Sequence, residues 1–373
     1  MNSLNGFTDG FREEPGYLDF GRVGPLSDVV VAETLGQTEV LSRARYGSLD
    51  HLVEQDVRAR TAVSRLTGFT ADQIVLQPNT SAGLMHAMFG LTGTVLLSAG
   101  DFPSLPFAAV RAAEALHVVT PLWLETDRGR VTPGQIRDQL TPAVVAVAVC
   151  LVDSRTGYRT DLDGIRQVIG DRLLMVDAIQ GFGVVDAAYE AADVIASGGQ
   201  KWVRAGWGTG FLALSDRALE RLVPVYSGFV GTDDEDPWDE VVQPSRGARA
   251  FRVSKGDAIA QARFAAALEQ TADVGIDLIQ AAMNDNVSEL IELIDEFVIE
   301  IVSPRDARAR AGIIVLEPPA ELLTTLVASL ANHGITATTR GTTVRLSVHA
   351  ALAPDTVSML RGALTAYTLA ATY

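Results

Sequence analysis

Residues 173–215 read LLMVDAIQGFGVVDAAYEAADVIASGGQKWVRAGWGTGFLALS, and this stretch decides the fold class. Three short apolar runs, 173–176, 194–196 and 210–214, show no polar alternation, so each predicts a strand covered on both faces. Similar runs stand upstream at 74–76, 94–98, 118–123 and 144–152, with helical stretches between some of them. Seven strands in this order predict an α/β fold around a mostly parallel seven-stranded sheet between helices. We place this large domain at residues 48–243, after an N-terminal segment 1–47.

From Asp257 onward the pattern changes to two long amphipathic helices, 257–273 and 275–297. Strands at 298–303, 312–316 and 342–348 follow, with helices at 320–332 and 354–371, which predicts a smaller α+β domain over residues 244–373. Residues 17–21 form a short extended apolar piece that needs a sheet or groove in which to bury itself, so the segment is expected to fold back onto one of the two domains.

The bulk numbers exclude several function classes. With 373 residues, 47% hydrophobic and 20% charged, the chain has material for a large packed core. A net charge of -16 repels a phosphate backbone, and no basic run offsets it, so no nucleic-acid partner is expected. The start carries no signal-peptide pattern and no stretch is apolar enough to span a bilayer, which predicts a cytoplasmic protein with no membrane partner. One cysteine, Cys150, excludes an internal disulfide, and the five histidines show no metal-ligand spacing; no metal is expected.

Of the 30 basic residues only Lys201 and Lys255 are lysine. Arginine stays protonated, whereas a buried lysine amine can lose its proton and attack an aldehyde. Lys201 follows Ser197, Gly198, Gly199 and Gln200 at the end of an apolar strand, where the glycines let backbone approach a ligand. Trp202 and Trp207 are expected to desolvate it, although a lysine stem lying along tryptophans toward solvent would read the same way. Lys255, in a polar setting before a helix, reads as surface.

Asp177 ends the strand 173–176 at the position where open α/β sheets bind ligands. A carboxylate there suits the protonated pyridine nitrogen of pyridoxal 5'-phosphate (PLP), with Lys201 joined to its aldehyde as a Schiff base and Gln180 within reach of the ring hydroxyl. Asp at a strand end also caps turns. A phosphate site is expected in LQPNTSAGLMHAMFGL, residues 76–91, where Thr80 or Ser81 would cap a helix whose free N–H groups bind an anion. Ordinary capping explains the same residues.

Taken in order, these segments, together with YLDFGRVGPLSD at 17–28 and VRLSVHAALAPDTVSML at 344–360, resemble the class V aminotransferase group of fold type I PLP enzymes. That group includes cysteine desulfurases, kynureninases and isopenicillin N epimerase-like proteins. The resemblance implies Lys201 as the Schiff-base lysine, Asp177 as partner of the ring nitrogen, and Gln180, Thr80 and Ser81 as cofactor contacts. It further implies Phe102 stacked on the ring, unless it is a core phenylalanine. Ser154 is implied near the ring, Ser197 and Gln200 near the phosphate. Arg345 is implied on the substrate carboxylate, for which its paired planar donors suit it, unless it is a surface arginine.

Two departures matter. Gln200 stands where desulfurases have His and several relatives Tyr. Cys150 lies in the apolar run 144–152, where a buried thiol is inert, so persulfide-forming cysteine desulfurase chemistry is disfavoured. The expected reaction is transformation of a small amino acid through a carbanion at its α-carbon. An aminotransferase ranks first, then a carbon-sulfur or kynureninase-like carbon-carbon lyase, then an epimerase; a non-catalytic PLP-binding regulator is the rival outside enzymes. The resemblance also implies a homodimer with sites at the interface, to which 225–240 and 245–254 would contribute.

Overall fold

The computed structural model describes residues 4–234 and 238–371; residues 235–237, within the loop expected to touch a partner, lie outside the described residues. Seven strands, β1 (Ile74–Leu76), β2 (Gly93–Leu97), β3 (Val119–Trp123), β4 (Val144–Cys150), β5 (Leu173–Asp177), β6 (Val194–Gly198) and β7 (Gly210–Leu214), form one sheet. Their order is β1-β7-β6-β5-β4-β2-β3. Only β7 runs against its neighbours; β3, β2, β4, β5 and β6 pair in parallel.

The unbroken apolar runs follow from burial on both faces. Val147, Val149, Leu174, Val176, Ile195 and Ala213 enter one core cluster, while Ala146, Ala148, Leu173, Met175, Val194 and Leu212 enter a second. These are alternate residues of the same strands, as the two-residue period of a strand requires. These central positions are therefore all apolar.

The second sheet, order β10-β11-β9-β8, is antiparallel throughout: β8 (Glu300–Ile301), β9 (Ile313–Glu317), β10 (Thr338–Arg340) and β11 (Thr343–Ser347). It packs with the helices Ile276–Asp295, Leu323–Asn332 and Pro354–Ala371 around its own core. The strand expected at 298–303 shrinks to two residues, with Val298 fully in solvent and Pro304 close behind. β10, a short polar stretch, carries no apolar signal and was not foreseen.

The helix Ala258–Val274 packs on Asp28–Ser42 and Asp50–Thr67, and its Phe264, Ala265 and Leu268 share the core of the large sheet. It therefore covers the seven-stranded sheet, although it lies past residue 243. No helix among the described residues is long and apolar enough to cross a membrane.

Residues 17–24 do fold back, and onto both parts. Tyr17 and Asp19 bridge Thr336 and Ser347 of the small domain in parallel register. The Gly21 N–H donates to Ser347 Oγ at 2.8 Å, and the Gly24 N–H donates to the Gln200 carbonyl at 2.9 Å.

Candidate active site

The carboxyl ends of the parallel strands converge on one side of the sheet, the place where open α/β sheets hold ligands. Thr80 follows β1, Phe102 follows β2, Ser154 follows β4, Asp177 ends β5 and Lys201 follows β6. Arg345, on β11, reaches the same place from the small domain, its Nη1 3.4 Å from the Ser154 carbonyl. The fold thus brings together residues spread over more than 260 positions of sequence.

Lys201 is 8% exposed, and its Nζ stands 5.2 Å from the centre of the Phe102 ring. Burial lowers its amine to about pKa 8; Asp177 opposes that shift, while Arg345 and Arg340 reinforce it. Trp202 is buried nearby in sequence, but Trp207 is not part of the pocket: it is 72% exposed, turned outward between Gly206 and Gly208, both with left-handed φ. The desolvation expected from Trp207 comes instead from the site itself. Lys255 is exposed, as its polar setting suggests.

Asp177 is buried, with Oδ1 accepting from the Ile179 N–H at 3.1 Å and Oδ2 lacking any protein partner. Burial raises it to about pKa 6, against the Ile179 N–H and Lys201, which lower it. An ionised carboxylate with one free oxygen is thereby offered to a cationic hydrogen-bond donor.

The helix Thr80–Gly90 is capped by neither Thr80 nor Ser81. Asn79 accepts from the Ala82 N–H at 2.9 Å and holds extended backbone angles, so it is the cap and the two hydroxyls stand one and two positions inside. Thr80 Oγ1 is buried without a partner. Ser81 Oγ lies 2.8 Å from Ser104 Oγ. A Cβ at Gly198 would stand 2.2 Å from Gln200 Oε1 and 3.2 Å from Thr80 Oγ1, so the missing side chain of Gly198 leaves room for both. Ser197 is buried, its hydroxyl donating to the Gly198 carbonyl at 3.3 Å.

Gln180 is held at both ends of its amide. Trp202 Nε1–H donates to Gln180 Oε1 at 3.0 Å, and Gln180 Nε2 donates to the Gly21 carbonyl at 2.8 Å. One N–H of that amide remains for a ligand.

Several residues of the site were not read from the sequence. Asp101, 6% exposed, has an unpartnered Oδ2 and is pushed up to about pKa 8 by burial, then by Asp153 and Asp177. Cys150, beside it, is buried and in no disulfide, with its thiol pushed well above the ordinary range by burial and these carboxylates. Arg340 lies 5.7 Å from the centre of the Phe102 ring. Asp19 faces Arg345 Nη2 at 3.4 Å, and a Cβ at Gly21 would stand 3.1 Å from Arg345 Cζ. Asp101 adjoins Phe102, and Asp19 and Gly21 sit in the YLDFG stretch, so proximity to recognised segments was the available signal. A separate cavity of roughly 370 Å³, lined by Gln77, Pro78, Thr209, Lys255 and others, contains none of Lys201, Asp177, Asp101, Arg340 and Arg345.

Residues 45–371 match the sequence model of the aminotransferase class-V family. A curated relative, kynureninase of Deinococcus radiodurans, is 27% identical over 262 residues, which are 66% of this chain and only 62% of that protein. Among solved structures, the apo cysteine desulfurase of Thermococcus onnurineus NA1 superposes with TM-score 0.85 at 18% identity, covering 95% of each chain. A mutant of C-DES with glycine covalently linked to its PLP cofactor gives TM-score 0.86 at 18% identity, covering 96% of this chain and 98% of that one. At those identities the structures show the shared fold, and the family match reaches almost the whole sequence. This chain belongs to the class V aminotransferase family, and its cofactor is PLP.

Proposed function

We propose that this protein transforms an amino acid at its α-carbon, as an aminotransferase, with Lys201 and Asp177 as its catalytic pair. One observation carries the reading: a buried amine of lowered basicity and a buried carboxylate with a free oxygen stand at adjacent strand ends and act on each other electrostatically. The surroundings suit the cofactor. Asp177 Oδ2 is a vacant acceptor for a protonated ring nitrogen, Thr80 Oγ1 and the N–H groups of the Thr80–Gly90 helix suit a phosphate, and Phe102 presents a ring to cover a flat ligand. When bound, PLP supplies an electron sink for negative charge developing at the substrate α-carbon.

The chain's own groups would do the rest. Lys201 would hold the cofactor through its amine and, once released, take and return the α-proton at Nζ. Asp177 would keep the proton on the ring nitrogen. Arg345 would fork onto the substrate carboxylate, and Gln180, fixed by Trp202 and Gly21, would turn its remaining N–H toward the ring hydroxyl. Ser81, Ser197 and Gln200 would complete the phosphate cradle, with Ser154 beside Arg345.

A lyase is the second reading, favoured by the similarity to kynureninase. Persulfide transfer is disfavoured by the burial of Cys150. The working unit we propose is a homodimer in the cytoplasm, supported by exposed Leu35, Val53 and Trp207, which a second copy would cover. Supplying the holoenzyme with amino acid and no oxo-acid acceptor separates the reactions. An aminotransferase stops after one equivalent of oxo acid per site and resumes when acceptor is added. Continued turnover without acceptor would identify a lyase, and borohydride-fixed cofactor on Lys201→Ala would refute the catalytic pair.

A further inference from the structure

The substrate end of the site carries more positive charge than one carboxylate requires. Arg345 is 2% exposed, yet its contacts to Ser154, Asp19 and Thr338 are all 3.4 Å, and its Nε has no partner. Contacts that long are weak hydrogen bonds, so a buried guanidinium is left largely unsatisfied. The nearest carboxylate is already engaged: Asp19 Oδ1 accepts from Thr338 Oγ1 at 2.7 Å. One acidic group from a ligand would complete Arg345.

A second guanidinium stands beside it. In the β10–β11 hairpin Arg345 pairs with Thr338, and Arg340 lies two residues from Thr338. Directly paired residues, and residues two apart, share a face, which sets the Arg345 and Arg340 Cβ atoms roughly 7–8 Å apart. That face looks into the site, because Arg340 Cζ lies 5.7 Å from the Phe102 ring over which Lys201 Nζ also stands. Arg340 is exposed and, among the described residues, has no carboxylate within 4 Å. Arg22, at the mouth in the folded-back segment, is likewise exposed and free of such a partner, and it acts electrostatically on Arg345. In a chain of net charge -16, unpaired cations gathered at this one place mark a local anion field.

We infer that the substrate is an amino acid with an acidic side chain, its α-carboxylate on Arg345 and its second anionic group on Arg340 at the mouth, with Arg22 strengthening the field. This rests on the reading of the site as a PLP centre acting on amino acids. Glutamate and aspartate have the required chemistry, and sulfinate or sulfonate analogues share it.

The test uses purified holoenzyme and the absorbance of its bound cofactor. Glutamate, aspartate and cysteate are titrated beside the uncharged norvaline and 2-aminobutyrate. Acidic amino acids are expected to bind at least about tenfold more tightly than uncharged ones, with the margin shrinking as salt is raised. In Arg340→Gln the ratio of acidic to uncharged affinity is expected to fall by about tenfold, and Arg340→Lys to restore part of it. Equal binding of both series by the native enzyme, or an equal change of both in Arg340→Gln, would overturn the inference. Such a result leaves the parent reading standing if borohydride still fixes the cofactor to Lys201; failure of every amino acid to perturb the spectrum would overturn both.

Discussion

Lys201 and Asp101 are opposite responses to one environment. Burial disfavours charge, so the amine falls to about pKa 8 and the acid rises to about pKa 8. Because the neutral amine is the form that captures an aldehyde, reloading of cofactor-free protein with PLP is expected to quicken as pH rises through about 8. Arg340→Gln should move that midpoint upward, since Arg340 is one of the cations holding the amine down. Stopped-flow absorbance reads both; a midpoint unchanged in the variant would mean the two cations do not sense each other. For Asp101 the folded chain keeps a proton that the unfolded chain releases above its ordinary 3.8, so the associated stability is complete below that value and is lost as pH rises through about 8. Asp101→Asn removes this loss. The melting temperature of cofactor-free variant minus that of native protein should grow between pH 4 and 8, whereas a constant difference would place Asp101 elsewhere. The rarity of lysine made Lys201 legible from sequence, whereas Asp101 had only its place beside Phe102 to mark it until the fold seals it beside Cys150.

Elements were legible where burial writes a pattern and illegible where it does not. β1 and β7 fall where the apolar runs place them, because both faces of the sheet are covered and no polar residue blurs the ends. The start of the Thr80–Gly90 helix was misread by one residue, since Asn79, Thr80 and Ser81 are all competent caps and only backbone angles decide among them. That difference separates two variants. Asn79→Ala removes the acceptor for the Ala82 N–H and should cost about 1 kcal/mol, seen as a lower melting temperature with or without cofactor. Thr80→Val removes a hydroxyl with no protein partner, so the cofactor-free protein should melt as before while PLP is lost faster on dialysis. Equal effects of the two on cofactor-free stability would contradict the assignment. β10 escaped notice because TTR is too short and polar to signal a strand, yet it carries Arg340.

For the whole molecule, two sheets with separate cores meet at the site, and the folded-back segment ties them together. The expectation that residues 17–21 would bury themselves came from their apolar character; that they would touch both domains depended on contacts with Ser347 and Gln200, which no local pattern reveals. Gly24 marks the tightest point of this segment, where a Cβ would stand 2.0 Å from the Lys201 carbonyl. Gly24→Ala should therefore displace the backbone that carries the amine, measured as slower reloading with PLP together with a lower melting temperature. Unchanged reloading would show that the segment does not fix the amine.

The pairing of Tyr17 with Thr336 and of Asp19 with Ser347 also sets an order of events. Synthesis passes residue 17 long before residue 336, so the folded-back segment must wait unpaired while some three hundred residues are added. A nascent chain halted before residue 336 would present the large sheet with its doorway undone, and PLP capture should become durable only once residues 336–347 have emerged.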